Sequence, residues 1–226
     1  MADAGMLLAF MAAALAITIV PGADMALVMG SAVGGGHRAG LAAVAGITLG
    51  AAAHVLASAV GLTALVVASP ALLSALGWAG AAYLIWIGIA ILRSRGGTLP
   101  GGPTARILQI NAARILQINA ARILRDALAT NLLNPKAYLF MLAVFPQFIR
   151  PDGWAPWVQT GVLGLMMLSV SVPVYTCIAL VAARAGTGLA GRPKALTWLN
   201  RISGLLLVAV GASALWSMAA PLLARG

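Results

Sequence analysis

Two short stretches of this chain place a proline and an ionisable side chain inside otherwise apolar sequence. The first stretch is Pro21-Gly22-Ala23-Asp24, and the second is the run Asn-Leu-Leu-Asn-Pro-Lys at positions 131–136. A charge at bilayer depth costs at least about 2.5–3.5 kcal/mol, so it is rarely retained there without a function. Because proline also interrupts a helix, each stretch predicts a helix break that carries polar groups.

The side chains at these breaks match the chemistry of a zwitterion. The helix that follows each proline begins with unpaired N–H groups and a partial positive charge, which suit a carboxylate. Asp24 can accept a substrate ammonium group or a coupling proton, and Lys136 can pair with Asp24 in the empty state or assist with the carboxylate. The two asparagines supply neutral donors and acceptors. The predicted site residues are Pro21, Gly22, Asp24, Asn131, Asn134, Pro135 and Lys136.

Each of these features also has a purely structural interpretation. Pro21-Gly22 can be a packing kink, Asp24 can cap the helix that follows it, and Lys136 can extend to the cytoplasmic surface. A cap needs no charge, since Ser or Asn serves equally well, so the sequence favours a functional role for Asp24. For Lys136 both interpretations stay open.

The composition is that of an integral membrane protein. Hydrophobic residues make up 62% of the 226 residues, charged residues make up 8%, and the mean hydropathy is +1.01. Soluble domains carry about 25% charged residues, far more than this chain. The apolar runs are long and do not alternate, which favours helices over a barrel, and the length accommodates six spans of about 20 residues.

The basic residues predict how these spans are oriented. The formal charge of +10 arises from 14 Lys and Arg residues against four acidic ones. In a soluble chain this balance indicates nucleic acid, but here the basic residues lie between apolar runs, so the expected partner is the lipid bilayer and not nucleic acid. The loops after spans one, three and five hold eleven of them, and the opposite side holds two. The positive-inside rule therefore predicts cytoplasmic basic loops and both termini outside.

The positions of the breaks predict two related halves. We expect an all-α fold of six transmembrane helices in two inverted three-helix repeats, with helices 1 and 4 broken; residues 1–95 form the first half and residues 127–226 the second. Pro21 precedes the first basic loop by about 20 Å of helix, and Pro135 follows Asp126 by about 14 Å, so both breaks reach similar depth. Paired broken helices in inverted repeats are typical of transporters with a site near the bilayer midplane.

A sequence duplication occupies the predicted cytoplasmic loop, residues 96–126. Ala105–Ala112 has the sequence ARILQINA, Ala113–Ala120 repeats it without change, and Ala121–Leu124 begins a third copy. Such identity indicates a recent tandem duplication, since older repeats have diverged. We expect a helical, partly exposed extension that carries no site.

Three residue types in the other spans limit the remaining chemistry. Gly46 and Gly50 have the Gly-x-x-x-Gly spacing that lets a neighbouring helix approach closely. His54, one turn further, is either a packed, hydrogen-bonded side chain or part of a proton relay. The single cysteine, Cys177, excludes an internal disulfide and a Cys-x-x-Cys redox pair.

Several motifs resemble those of the LysE/RhtB family of bacterial amino-acid exporters. They are Pro21 to Met25, Gly35 to Gly40, Gly80 to Leu84, Asn131 to Lys136 and Phe145 to Phe148. The resemblance covers nearly the whole chain, and it implies a six-helix carrier of the inner membrane driven by the proton motive force. Where the family usually has Pro-Gly-Pro this chain has Pro-Gly-Ala, and the octapeptide copies are foreign to the family pattern.

The residues and the resemblance together predict a secondary exporter of amino acids or close analogues, with a proton as coupling ion and no cofactor. The alternatives are a carrier for another small solute or cation of the wider LysE superfamily, and a structural membrane protein without transport. A metal site is disfavoured because the spans hold only one carboxylate and one cysteine. An enzyme is disfavoured because the sequence offers no pair of a nucleophile and a base. A homodimer is compatible with the sequence, which leaves the oligomeric state open.

Overall fold

The computed structural model describes residues 4–93, 120–150, 153–185 and 193–223 of the chain. All of the regular structure within these ranges is α-helical. The helices are α1 (Ala4–Ile19), α2 (Ala23–Ala68), α3 (Pro70–Arg93), α4 (Ala120–Leu132), α5 (Pro135–Phe148), α6 (Pro156–Ala185) and α7 (Pro193–Leu223). The extension predicted from the octapeptide copies lies outside the described residues, which resume at Ala120.

The lengths and composition of the helices show a multi-pass membrane protein. Among the described residues, four stretches are long and apolar enough to cross a bilayer, and they lie in α2, α3, α6 and α7. α1 and the Leu139–Phe148 part of α5 are also apolar but shorter. A backbone in lipid must satisfy its own hydrogen bonds, which is why such runs form helices. The prediction of an all-α integral membrane protein is confirmed for the described residues.

The long helix α2 consists of two arms that meet at Gly36. The backbone of Gly36 has φ 71° and ψ −170°, a conformation that L side chains rarely adopt. A Cβ added to Gly40 in the second arm (residues 37–68) would lie 2.9 Å from the Cβ of Ala32 in the first arm (residues 23–35). Residues eight apart on one straight helix are separated by about 12 Å, so the chain turns back at Gly36.

The second arm of α2 packs closely on α4, as the spacing of Gly46 and Gly50 predicts. A Cβ added to Gly46 would collide with the carbonyl oxygen of Leu124, and one added to Gly50 would lie 2.7 Å from Asn131 Oδ1. α2 also packs extensively against α6, and α3 packs against α7 and α5. The Gly-x-x-x-Gly prediction is confirmed, and it places the second arm beside the polar end of α4.

Buried apolar side chains form two clusters, and the helix breaks lie between them. The first cluster contains side chains of α1, α3, α5 and α7, with further contributions from α2 and α6. The second contains both arms of α2 together with α4 and α6. On either side of each break one helix belongs to the first cluster and the other to the second. The breaks at residues 20–22 and 133–134 therefore lie where the two clusters meet.

Candidate functional site

Four helix ends meet at the two breaks. α1 ends at Ile19 and α2 begins at Ala23, while α4 ends at Leu132 and α5 begins at Pro135. Pro21 and Gly22 are both buried in the first break. Asp24 is the second residue of α2 and Lys136 is the second residue of α5, so the two breaks carry opposite charges at the same position.

The side chain of Asp24, at the first break, contacts a residue at the second break. Its side chain is 3% exposed, and Oδ2 accepts a hydrogen bond of 3.0 Å from Asn131 Nδ2. Oδ1 is also buried and has no hydrogen-bond partner among the described residues. The carboxylate therefore does not hydrogen-bond an N–H of its own helix, although a negative charge in the first turn is favourable. A buried oxygen without a hydrogen-bond partner is costly.

Lys136 makes the corresponding contact in the other direction. Its side chain is 8% exposed, and Nζ donates to the carbonyl oxygens of Ile17 and Val20, each at 3.2 Å. The last carbonyls of a helix lack partners, and a cation satisfies both their hydrogen bonds and the helix dipole. Lys136 thus caps the end of α1 instead of extending to the surface. It also lies within electrostatic range of Asp24.

Asn134 and Asn131 each use one end of the amide within the protein. Asn134 is the N-cap of α5, and its Oδ1 accepts a hydrogen bond of 3.0 Å from the backbone N–H of Lys136. The Nδ2 atom of Asn134 is buried without a partner in the described part of the chain, and the same is true of Asn131 Oδ1. One amide therefore has an open donor and the other an open acceptor.

The second arm of α2 holds Asn131 in place. Gly50 lies against the Asn131 side chain, and His54 Nε2 lies 3.1 Å from the Asn131 carbonyl oxygen. Because a carbonyl oxygen only accepts, Nε2 is the donor in this contact. Of the two roles predicted for His54, the structure therefore shows the packed, hydrogen-bonded one.

The sequence analysis missed one polar residue near the site. Tyr175 of α6 is 5% exposed, belongs to the second cluster and lies within electrostatic range of Asp24. A phenol within an apolar span, two residues after Pro173, was the available signal.

The structure brings the predicted residues together around a small set of open polar atoms. Asp24 Oδ1 and Asn131 Oδ1 are acceptors, whereas Asn134 Nδ2 is a donor at the N-terminal end of α5. Two acceptors suit an ammonium group, and a donor beside a helix N-terminus suits a carboxylate. Within the described ranges, no group of three or more His, Cys, Asp or Glu side chains is placed to hold a metal ion.

Known proteins similar to this chain include named efflux proteins. The homoserine/homoserine lactone efflux protein of Salmonella typhimurium is 32% identical over 196 residues, which cover 87% of this chain and 89% of that protein. The leucine efflux protein of Klebsiella pneumoniae is 27% identical over 211 residues, covering 91% and 92%. An uncharacterized membrane protein of Vibrio cholerae is 30% identical over 204 residues, covering 90% and 93%. No solved structure matches the chain.

The family comparison agrees with these relatives and with the motifs. The LysE type translocator family matches residues 15–218, a range that contains both helix breaks. The resemblance inferred from the sequence is confirmed, and the family is one of translocators, not of enzymes. This chain belongs to the LysE type translocator family.

Proposed function

We propose that this protein exports amino acids with neutral side chains from the cytoplasm, in exchange for protons. The translocator family and the relatives named for homoserine and leucine efflux support amino-acid transport. The observation that carries the proposed site is the set of three buried, unpartnered polar atoms at the helix breaks.

The site residues divide between the two charged ends of the substrate. The substrate ammonium group binds Asp24 Oδ1 and Asn131 Oδ1, which are open acceptors. The carboxylate binds Asn134 Nδ2 and the N-terminal end of α5, where the helix dipole favours an anion. Pro21, Gly22 and Pro135 create the breaks that expose these groups. Lys136 holds the end of α1 in position and balances the charge of Asp24.

The charge balance of the site favours a substrate whose side chain is neutral. Asp24 and Lys136 are both buried and opposite in sign, so a zwitterion adds no net charge. A cationic side chain such as that of lysine needs a second carboxylate, because a buried charge without a partner is strongly destabilising. The whole chain has only four acidic residues, and Asp126 of α4 is exposed.

Exchange for a proton follows from competition at Asp24. Its open oxygen binds either the substrate ammonium or a proton, and the two exclude each other. When the substrate leaves on the outer side, a proton that takes its place neutralises the carboxylate. The returning site then carries a proton in place of the positive charge of the substrate ammonium group, which couples export to proton entry.

The proposed architecture has six spans in two inverted halves within the bacterial inner membrane. α1 with the first arm of α2 forms the broken first span, and the part of α4 from residue 127 onward forms the broken fourth span with α5. The second arm of α2 with α3 completes the half of residues 1–95, and α6 with α7 completes the half of residues 127–226. Basic loops face the cytoplasm, including residues 96–126, and both termini face outward, in line with the positive-inside rule. The location of the site between the two apolar clusters supports a midplane position.

Efflux of preloaded, labelled leucine and homoserine from right-side-out membrane vesicles tests the proposal. We expect the wild type to export at least one of them when a proton gradient, acidic outside, is imposed. Asp24→Asn keeps the size of the side chain but cannot carry the proton, so we expect coupled efflux to fall about 100-fold or more, as for loss of a catalytic proton carrier.

Asp126→Asn is the matched control, since it makes the same change on the exposed face of α4. We expect its efflux to equal that of the wild type. Membrane insertion is compared by immunoblotting for both variants. Gradient-dependent efflux by Asp24→Asn at the wild-type rate would reject Asp24 as the coupling residue.

A further inference from the structure

A cavity lies at the ends of α1 and α5 that are far from the breaks. It has a volume of about 530 Å³, and its walls come from the beginning of α1, the end of α5 and the beginning of α6. The apolar walls include Leu7, Phe148, Leu163 and Met166, and Arg150 lies at its polar side. None of the predicted site residues lines this cavity.

α1 and α5 connect this cavity to the site. α1 extends from Leu7 at the cavity to its C-terminal end, where Lys136 binds the carbonyls of Ile17 and Val20. α5 extends from Lys136 back to Phe148 at the cavity. Both lengths are 12 to 13 residues, or about 18–20 Å of helix. The cavity and the site therefore lie at opposite ends of the same antiparallel helix pair.

Three aromatic rings pack together between α1 and α5 next to the cavity. Phe10 is fully buried one turn further along α1 than Leu7, and its ring packs edge-on against Phe145 at 5.6 Å and against Phe148 at 5.2 Å between centroids. Phe148 is also a wall of the cavity. Phe10 thus lies beneath the cavity on the side of the site.

The polar side of the cavity is held rigidly. Gln159 Oε1 accepts from the backbone N–H of Arg150 at 2.9 Å, and its Nε2 donates to the Arg150 carbonyl at 2.9 Å and to the Trp154 carbonyl at 2.5 Å. These bonds connect the backbone of Arg150 and Trp154 to Gln159 at the beginning of α6, and all three residues line the cavity.

We propose that this cavity is the outer vestibule of the transport path and that Phe10, with Phe145 and Phe148, is its closed gate. The inference rests on the proposed export function. The ligand is the exported amino acid, and an apolar side chain such as that of leucine lies against Leu163 and Met166. Export requires Phe10 to move aside so that substrate passes from Asp24 into the vestibule, as gating elements do in other carriers.

Thiol labelling tests whether water and substrate reach the cavity from outside. In a Cys177→Ser background, which removes the single native thiol, Met166→Cys places a thiol on the cavity wall. Leu165→Cys is the matched control, because Leu165 is 69% exposed on the outer face of the same helix and does not line the cavity. The probe is a charged, membrane-impermeant methanethiosulfonate added to right-side-out vesicles.

We expect Met166→Cys to react about tenfold or more faster than Leu165→Cys, because the reactive thiolate forms only where water reaches the sulfur. Millimolar external leucine or homoserine slows this reaction, and complete labelling blocks efflux. Reaction of Met166→Cys with a lipid-soluble maleimide alone would identify the cavity as filled by lipid acyl chains and overturn the proposal. Reaction only in inside-out vesicles would overturn it as well.

Accessibility beyond the gate is measured with Ala14→Cys. Ala14 is fully buried one turn beyond Phe10 on α1. We expect no external labelling of Ala14→Cys when Phe10 is present, and labelling when Phe10→Ala is added; Phe10→Leu serves if the alanine variant does not insert. Equal labelling with and without Phe10 would reject the gate.

These readouts separate the vestibule from the export function. If the wild type exports neither amino acid, the proposed function fails whatever the labelling pattern. If the wild type exports but labelled Met166→Cys exports equally well and gains no protection from external substrate, the vestibule alone is rejected.

Discussion

The break between α1 and α2 and the break between α4 and α5 have the same layout but differ in how completely their charges are bound. At the first break, Asp24 has one bonded and one open oxygen. At the second, Lys136 donates to two carbonyls at the end of α1, and Asn134 caps the helix behind it. At the first break the residue before α2 is Gly22, which has no side chain to cap that helix in the same way.

This difference gives the two charged side chains different roles. Lys136 donates its hydrogen bonds to backbone carbonyls at the end of α1, so it fixes the geometry of the first break. Asp24 keeps an unsatisfied oxygen, so it remains available to a ligand or a proton. We infer that Lys136 anchors and Asp24 binds, even though the two residues occupy the same position in their helices.

Lys136→Met removes the anchor and tests this division most strongly. Two buried hydrogen bonds between membrane helices are lost, at about 0.6–1.7 kcal/mol each, so we expect destabilisation of about 1–3 kcal/mol. We also expect efflux to be lost, because the end of α1 no longer holds its place beside Asp24. Equilibrium unfolding in mixed micelles and vesicle efflux measure the two effects.

Two further variants make the Lys136→Met result specific. Arg125→Met removes an exposed cation from α4, and we expect it to match the wild type in stability. The double variant Asp24→Asn/Lys136→Met removes both buried charges, and we expect it to be more stable than Lys136→Met alone because no unpaired charge remains. A double variant no more stable than the single one would show that Lys136 acts only as a cap.

Gly50→Ala disturbs the contact that positions Asn131. The added Cβ would lie 2.7 Å from Asn131 Oδ1 and 2.9 Å from Asn131 Cβ, and such overpacking costs about 1–3 kcal/mol. We expect lower stability and weaker efflux, since the partner of Asp24 is displaced. Both are measured by the same unfolding and efflux assays.

Gly61→Ala is the matched control for Gly50→Ala in the same helix. No atom lies within 4 Å of the position of its Cβ, and alanine favours a helix over glycine by about 1 kcal/mol. We expect this variant to be at least as stable as the wild type. Equal behaviour of the two alanine variants would mean that Gly50 has no particular role beside Asn131.

The sequence predicted the parts of this molecule that depend on local chemistry. Pro21 and Pro135 cannot continue a helix from the preceding residues, and a charge such as Asp24 is rare in an apolar span, so the breaks and their charges were visible from residue type alone. The spacing of Gly46 and Gly50 likewise predicted a close helix contact, because small residues four apart share one face.

The side-chain partners could not be predicted in the same way. Lys136 binds carbonyls of α1 and not a carboxylate. This choice depends on where α1 ends relative to α5, and that position is set by packing between residues that are far apart in the sequence. Tyr175 was missed because its place beside Asp24 depends on how α6 is rotated about its axis. The cavity near Arg150 is formed by three helix ends from different parts of the chain, and no local pattern marks it.

Substitutions at Asn134 distinguish its role as a helix cap from its proposed role in binding the substrate. We expect these substitutions to change stability and efflux less than the variants above. Asn134→Ala removes both the cap and the open Nδ2, whereas Asn134→Ser keeps a capping oxygen and loses only the amide donor. Because serine caps about as well as asparagine and alanine costs about 1 kcal/mol, we expect the alanine variant alone to be destabilised.

Both Asn134 variants lose the donor proposed for the substrate carboxylate. A hydrogen bond to a charged group contributes about 1.5–3 kcal/mol, so we expect the KM for efflux to rise about tenfold or more in each. Unfolding and concentration-dependent efflux, measured on the same preparations, distinguish the two roles. If Asn134→Ser restores both stability and KM to wild-type values, the amide serves only as a helix cap, and the carboxylate is bound by backbone N–H groups at the start of α5 instead.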